Sequence, residues 1–250
     1  MPPLVRRLAH QARFSVATNP ECEVVLSPMQ RVFLTAGAAA VGLMNTWRGD
    51  MIAALGETTG ECQLQTLRDR MAATADGRKL LRDKPRINTR TLDLESMRHL
   101  PENSLGRRFV EFFETEGLSL DTRTPVRFIA DADLAYVMAR YREVHDIWHV
   151  LFDAPPSVLG ELAQKHFEWQ HTGLPMTAIA ATVGPVRLTA TERRLLNEQA
   201  IPWAERTARE CECLLSVPFE QRLGEDIDAL REQLRITPLP DEIRLHRQAE

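Results

Sequence analysis

The run Val144-His145-Asp146-Ile147-Trp148-His149, with Glu161 following after eleven intervening residues (150 to 160), constrains this chain more than any other stretch. Successive residues of an α-helix advance by about 100°, so His145 and His149 stand one turn apart on the same side. Asp146 falls in the same arc, about 100° from His145 and about 60° from His149. Asp153, Pro155 and Pro156 then break the helical pattern, since proline has no N–H to give and its ring fixes φ. Ser157 can cap a second helix that continues to about residue 170. If that helix runs antiparallel to the first, Glu161 returns beside the histidines. Two imidazoles and two carboxylates suit a borderline divalent cation, zinc above all, with iron and manganese chemically compatible.

Isolated histidines in a helix are commonly hydrogen-bonded core residues, but the flanks here argue for more. Ile147, Trp148, Val150, Leu151 and Phe152 are strongly apolar, which implies a helix buried on much of its circumference. Two histidines and an aspartate in such a run carry a desolvation cost of several kcal/mol unless they are paired or metal-bound. Two other motifs come close. A zincin helix places glutamate after the first histidine as general base, and Asp146 is one methylene too short for that reach. A His-Asp phosphohydrolase needs a further separated His and Asp, and His10, His99, His166, His171 and His246 form no second pair.

A chain of 250 residues can bury one large core, and neither a Gly/Ser linker nor a repeat divides it. With 31 basic against 35 acidic residues there is no global field of the kind that draws nucleic acid, so any membrane contact must come from local chemistry. Cys22, Cys62, Cys211 and Cys213 suggest no disulfide framework, and a reducing compartment follows. Cys211 and Cys213 lack a second pair, which favours ordinary thiols over soft metal ligands. The first 20 residues hold Arg6, Arg7 and Arg13 and no acid, a composition that fits a short mitochondrial transit segment and equally a disordered basic terminus; residues 21 to 250 then form the single helical domain. No apolar run reaches the 18 to 20 or so residues that span a bilayer, residues 32 to 44 coming nearest.

The remaining pattern predicts an all-α, single multi-helix domain, because few runs alternate as strands do. Ser27-Pro28 starts a helix reaching about Trp47, in which Ala36, Gly37, Ala38, Ala39, Ala40 and Gly42 permit close approach of another helix in the core, the favoured reading, or of a lipid chain. Further helices are expected over residues 61 to 74, 104 to 116, 131 to 152, 157 to 171, 189 to 209 and 218 to 235. Pro85, Pro101, Pro125, Gly173, Pro175, Gly184 and Pro185 read as punctuation between them. Arg142, three residues before His145, is either a substrate or carboxylate clamp facing the site or a solvated helix charge.

The stretch Tyr136-Val137-Met138-Ala139-Arg140-Tyr141-Arg142-Glu143-Val144-His145-Asp146 resembles the mitochondrial ubiquinone (coenzyme Q) biosynthesis protein of the Coq-four family. So do Gly160-Glu161, Thr172-Gly173-Leu174-Pro175-Met176, Gly184-Pro185-Val186-Arg187-Leu188 and Ile201-Pro202-Trp203-Ala204. Upstream, Asp50-Met51, Leu55-Gly56-Glu57-Thr58-Thr59-Gly60, Lys84-Pro85-Arg86-Ile87 and Ser104-Leu105-Gly106 are similar to the same family, so the resemblance runs from about residue 27 to about residue 238. It implies an α-helical protein, peripheral to the matrix face of the mitochondrial inner membrane. It also implies a divalent metal, expected to be zinc, on His145, Asp146, His149 and Glu161, between two adjacent antiparallel helices. The implied activity is that of a carboxy-lyase, a 4-hydroxy-3-methoxy-5-polyprenylbenzoate decarboxylase. The implied partners are that polyprenylated substrate, the membrane surface and the other ubiquinone biosynthesis proteins in a multi-subunit complex, with no nucleic acid among them.

Loss of carbon dioxide from a 4-hydroxybenzoate leaves negative charge on ring carbon 1 unless that carbon is protonated first. A cation polarising the substrate oxygens and a nearby acid both lower that barrier. Simple decarboxylation and decarboxylation coupled to hydroxylation are both compatible with these residues; the second needs a redox-active metal in place of zinc. The rival reading is a non-catalytic lipid-binding scaffold that organises the biosynthetic complex, its metal bracing two helices.

Overall fold

A computed structural model describes residues 19–22, 24–44, 49–117, 119–120 and 124–246. Most of the candidate transit segment and the expected end of the first helix at Trp47 lie outside the described residues. The expected all-α class holds: the described residues are helices, turns and loops, with one isolated β-bridge between Ser104 and Asp226. In chain order the α-helices are α1 (Pro28–Met44), α2 (Gly49–Thr59), α3 (Glu61–Ala72), α4 (Ala75–Asp83), α5 (Leu94–Arg98), α6 (Leu105–Glu116) and α7 (Ala132–Phe152). They continue as α8 (Val158–Thr172), α9 (Pro175–Val183), α10 (Ala190–Leu195), α11 (Ile201–Glu210), α12 (Ile227–Leu234) and α13 (Asp241–Arg244).

α7 is the axis of the molecule. Seventeen of its 21 residues are buried, which is why its sequence shows little polar–apolar alternation. Asp131 caps its start by accepting from the Asp133 and Leu134 amides. Its end is the break expected at Asp153, which adopts a left-handed conformation (φ 52°) while its carboxylate pairs with Arg231 and Arg244. Ser157 caps α8 as expected, accepting from the Gly160 amide at 3.2 Å. One apolar cluster joins Leu64, Phe109, Val144, Phe167, Trp203 and Ile243, so α3, α6, α7, α8, α11 and α13 share a core. A second, smaller cluster of Ala38, Ala54 and Leu55 ties α1 to α2.

Several expected boundaries are corrected. The helix expected over 218–235 is a short 3₁₀ turn at Phe219–Gln221 followed by α12, because Gly224 interrupts it and Asp226 caps a new start on the Asp228 and Ala229 amides. The stretch expected over 189–209 is helical but passes through a π turn at Leu196–Ala200. Pro202 cannot donate to the carbonyl four residues back, and the wider turn takes up that defect. Pro175, read as punctuation, is instead the first residue of α9, where a missing N–H costs nothing. Of the small residues in α1, Ala38 is buried as expected, whereas Ala36, Gly37 and Ala40 are exposed.

Candidate metal centre

α7 and α8 lie antiparallel, as their side-chain pairings show. Tyr141 and His145 meet Glu168 at the far end of α8, and His149 meets Glu161 at its start. Of the four residues singled out in the sequence, His145, His149 and Glu161 converge, each offering a ligand atom within 4.8 Å of the others. His149 Nε2 is 3.1 Å from Glu161 Oε1, and His145 Nε2 is 3.9 Å from Glu161 Oε2. The carboxylate thus spans the two rings. The imidazoles stand edge to face, with centroids 4.8 Å apart.

Asp146 is buried but stands outside this group of three. It sits about 100° round α7 from His145. Its charge still favours protonated His149.

Both histidines are oriented through the other ring nitrogen. His149 Nδ1 lies 3.0 Å from the Ala154 carbonyl, and Phe112 of α6 stacks on the ring at 5.5 Å. His145 Nδ1 lies 2.5 Å from Glu168 Oε1. In each case Nε2 is left to face Glu161, the arrangement in which an outer partner fixes tautomer and ring angle for a metal ligand. Glu168 carries no motif of its own in the sequence. The available signal was periodicity: it lies seven residues beyond Glu161 on the same face of α8.

Burial pushes the His145 pKa below its ordinary value, with Lys165 adding to the effect. For His149 burial is the largest single influence and favours the neutral ring, but Glu161, the Ala154 carbonyl and Asp146 together outweigh it and raise the pKa. Burial likewise opposes ionisation of Glu161, yet the two histidines hold its carboxyl well below the usual range. The surroundings therefore favour the protonated form of His149 beside ionised Glu161 and the neutral form of His145. His149 is only 2% exposed, His145 is 14% and Glu161 is 38%, so the group opens to solvent on the Glu161 side.

Arg142 is not a solvated helix charge. Its side chain is 11% exposed and its guanidinium pairs with Glu57 of α2 at 3.4 Å and Thr124 at 3.2 Å. Glu57 also accepts the Arg127 and Phe128 amides, so this pair fastens α2 to α7 and to the segment before it. The four cysteines are free, as expected, and none belongs to the ligand group. Burial pushes the Cys211 thiol up to about 12, far from reactivity. Two surface depressions, one lined by Arg209, Glu232 and Ile236 and one by Thr89, Arg90 and Leu94, share no residue with the cluster.

The match that decides the family spans this whole arrangement: residues 21–240 fit the family described as coenzyme Q (ubiquinone) biosynthesis protein Coq4. The chain belongs to the Coq4 family. Its relatives include the Ubiquinone biosynthesis protein COQ4 homolog, mitochondrial, of Homo sapiens, 47% identical over 86% of this chain and 81% of that protein. The protein of the same name from Rattus norvegicus is 44% identical over 96% of this chain and 89% of its own length. A solved structure from Nostoc punctiforme superposes with a TM-score of 0.65 at 19% identity, covering 81% of this chain and 97% of that one. That likeness speaks for the fold. All three ligand-bearing residues of the cluster lie inside the part of the chain that matches the Coq4 family.

Proposed function

We propose that this chain serves ubiquinone biosynthesis as a metal-dependent carboxy-lyase, removing the carboxyl group at ring carbon 1 of a 4-hydroxy-3-methoxy-5-polyprenylbenzoate. The observation that carries the reading is the convergence of two Nε2 atoms and one carboxylate at a site that opens to solvent on one side. Two neutral imidazoles and a carboxylate fit a divalent cation, zinc first. His145, His149 and Glu161 would hold it, and Asp146 stays in the proposed donor set because its charge already acts on His149. When bound, the cation supplies a Lewis acid for the oxygen groups of the substrate.

The chain's own residues do the remaining work. Glu161 favours a proton on His149 Nε2, and a nitrogen that would hold a metal must give up any such proton. Phe112 and the Ala154 carbonyl hold the ring in place. In the reaction the bond from ring carbon 1 to the carboxyl carbon breaks, carbon dioxide leaves, and the ring carbon takes up a proton. Coupling to hydroxylation at the same carbon would need dioxygen and a redox-active metal in place of zinc.

Among the described residues no helix is long and apolar enough to cross a membrane. Exposed Val24, Val25, Met29, Val32 and Phe33 lie along and just before α1. Together with relatives named mitochondrial, they support a peripheral place on the matrix side of the inner mitochondrial membrane, beside the other biosynthetic proteins. Release by alkaline carbonate is the expected behaviour, and resistance would argue for an integral segment.

The deciding test is purification with metal analysis, followed by turnover of the carboxylated polyprenyl precursor by the wild type and by Glu161→Gln. Stoichiometric metal and a turnover that Glu161→Gln depresses far more than it lowers Tm are expected. Should folded Glu161→Gln or metal-free protein support ubiquinone synthesis as well as the wild type, the scaffold function would stand in place of the enzyme.

A further inference from the structure

Glu168 is fully buried, and four polar side chains converge on its carboxylate. On Oε2, the Tyr141 hydroxyl donates at 2.5 Å and the Lys165 ammonium at 2.7 Å. On Oε1, His145 Nδ1 lies at 2.5 Å and the Gln164 amide donates at 3.2 Å. A buried carboxylate is costly without partners, and here both oxygens are occupied. The two donors on Oε2 keep the group charged and leave Oε1 turned toward His145.

The tautomer of His145 follows from the distances around Nδ1. Gln164 Nε2 at 2.9 Å and Lys165 Nζ at 3.3 Å could each donate to an unprotonated Nδ1, which would put the ring hydrogen on Nε2, pointing at Glu161. Two bare acceptors, however, do not sit 2.5 Å apart; a contact that short needs a hydrogen between Nδ1 and Glu168 Oε1. Gln164 has better acceptors in the His145 carbonyl at 2.8 Å and in Glu168, and Lys165 has Glu168 Oε2. The hydrogen therefore belongs on Nδ1, and the lone pair of Nε2 is free.

We propose that Glu168 is the positioning residue for His145: its carboxylate takes the Nδ1 hydrogen and so presents Nε2 to the space shared with His149 and Glu161 as a metal donor. Tyr141 and Lys165 act one step further out by fixing the carboxylate. The inference rests on the metal reading of the cluster, and it assigns to a residue outside the ligand set the control of how well that set binds. The alternative is that Glu168 only staples α7 to α8 through Tyr141, a role that is indifferent to the tautomer.

Two readouts separate these. In metal-free full-length protein labelled with ¹⁵N-histidine, at pH 8, the ring nitrogen shifts of His145 report which atom carries the hydrogen. Wild type is expected to show Nδ1–H. Glu168→Leu, which removes the acceptor and leaves Lys165 beside Nδ1, is expected to shift His145 toward Nε2–H and to raise the Kd for Zn²⁺ by about 10- to 100-fold. Glu168→Gln keeps a neutral acceptor and should recover part of that loss. Nε2–H in the wild type, or a folded Glu168→Leu protein whose Zn²⁺ Kd stays within about twofold of the wild type, overturns the proposal. If Glu168→Leu fails to fold, the wild-type tautomer and the Kd of Glu168→Gln decide, with an unchanged Kd counting against it. If the wild type binds no Zn²⁺ at all, the metal reading falls, while the tautomer in the metal-free protein still tests whether Glu168 positions His145.

Discussion

His149 is the residue on which the cluster turns, since it is nearly sealed from solvent, lies 3.1 Å from Glu161 and is held from behind by Ala154 and Phe112. Replacing His149 by Ala should remove most of the bound metal, measured by elemental analysis of the folded variant, and full metal content would refute the assignment. Arg140, nine residues earlier on α7, shows a different use of buried charge. It is fully buried and donates to the Leu215 and Val217 carbonyls and to Glu220, fastening α7 to the segment that leads into α12. Arg140→Met keeps most of the volume and strands these acceptors, so a loss of about 3–5 kcal/mol is expected in urea unfolding with little change in metal content. Parallel loss of metal and stability would instead show that the two regions of α7 cannot be perturbed separately.

At the scale of elements, the turn from α7 to α8 sets where Glu161 lands. A Cβ on Gly160 would lie 2.1 Å from the Pro155 carbonyl oxygen, a backbone atom that cannot yield without moving the turn. Gly160→Ala should therefore cost about 1–3 kcal/mol and shift Glu161 relative to the histidines, weakening metal binding. A Tm and a metal Kd both equal to the wild type would refute this. The α7–turn–α8 unit was legible in the sequence because its signals are local: histidine spacing, two prolines, and a serine cap. α4 was hidden because its strongly polar run, Ala75–Asp83, gives few apolar marks. α9 was hidden because Pro175 reads equally as a break or a first turn, and only the packing of α9 on α8 and α2 selects between them. Glu168 was hidden for a related reason. A buried glutamate reads as a surface charge until the partners that neutralise it, here from another helix, are in place.

For the molecule as a whole, a core threaded by α7 and α8 buries histidines that must stay neutral, and this ties global stability to pH. His171 is the sharpest case: burial, with Arg70 nearby, depresses its pKa from 6.5 to about 3. The ring stacks on Phe167 at 5.1 Å, and Nε2 accepts the Leu214 amide. Because the folded pKa lies below the unfolded one, the unfolded chain alone takes up this proton between those values. The contribution is present above pH 6.5 and is lost as pH falls toward 3, with a slope of up to about 1.4 kcal/mol per pH unit. Glu57 and Glu143 act in the opposite sense: burial raises both above 4.5, so stability due to their protonated forms fades as pH rises from there. Because both effects act just above pH 4.5, only a difference isolates the histidine. His171→Gln retains an acceptor for Leu214 but cannot be protonated. Urea unfolding of both proteins at about pH 7 and about pH 5 should show a lower stability for the variant at the higher pH, from lost packing, and a smaller fall on acidification than in the wild type. If the two proteins lose the same free energy between those pH values, His171 is not the group that couples this core to acid.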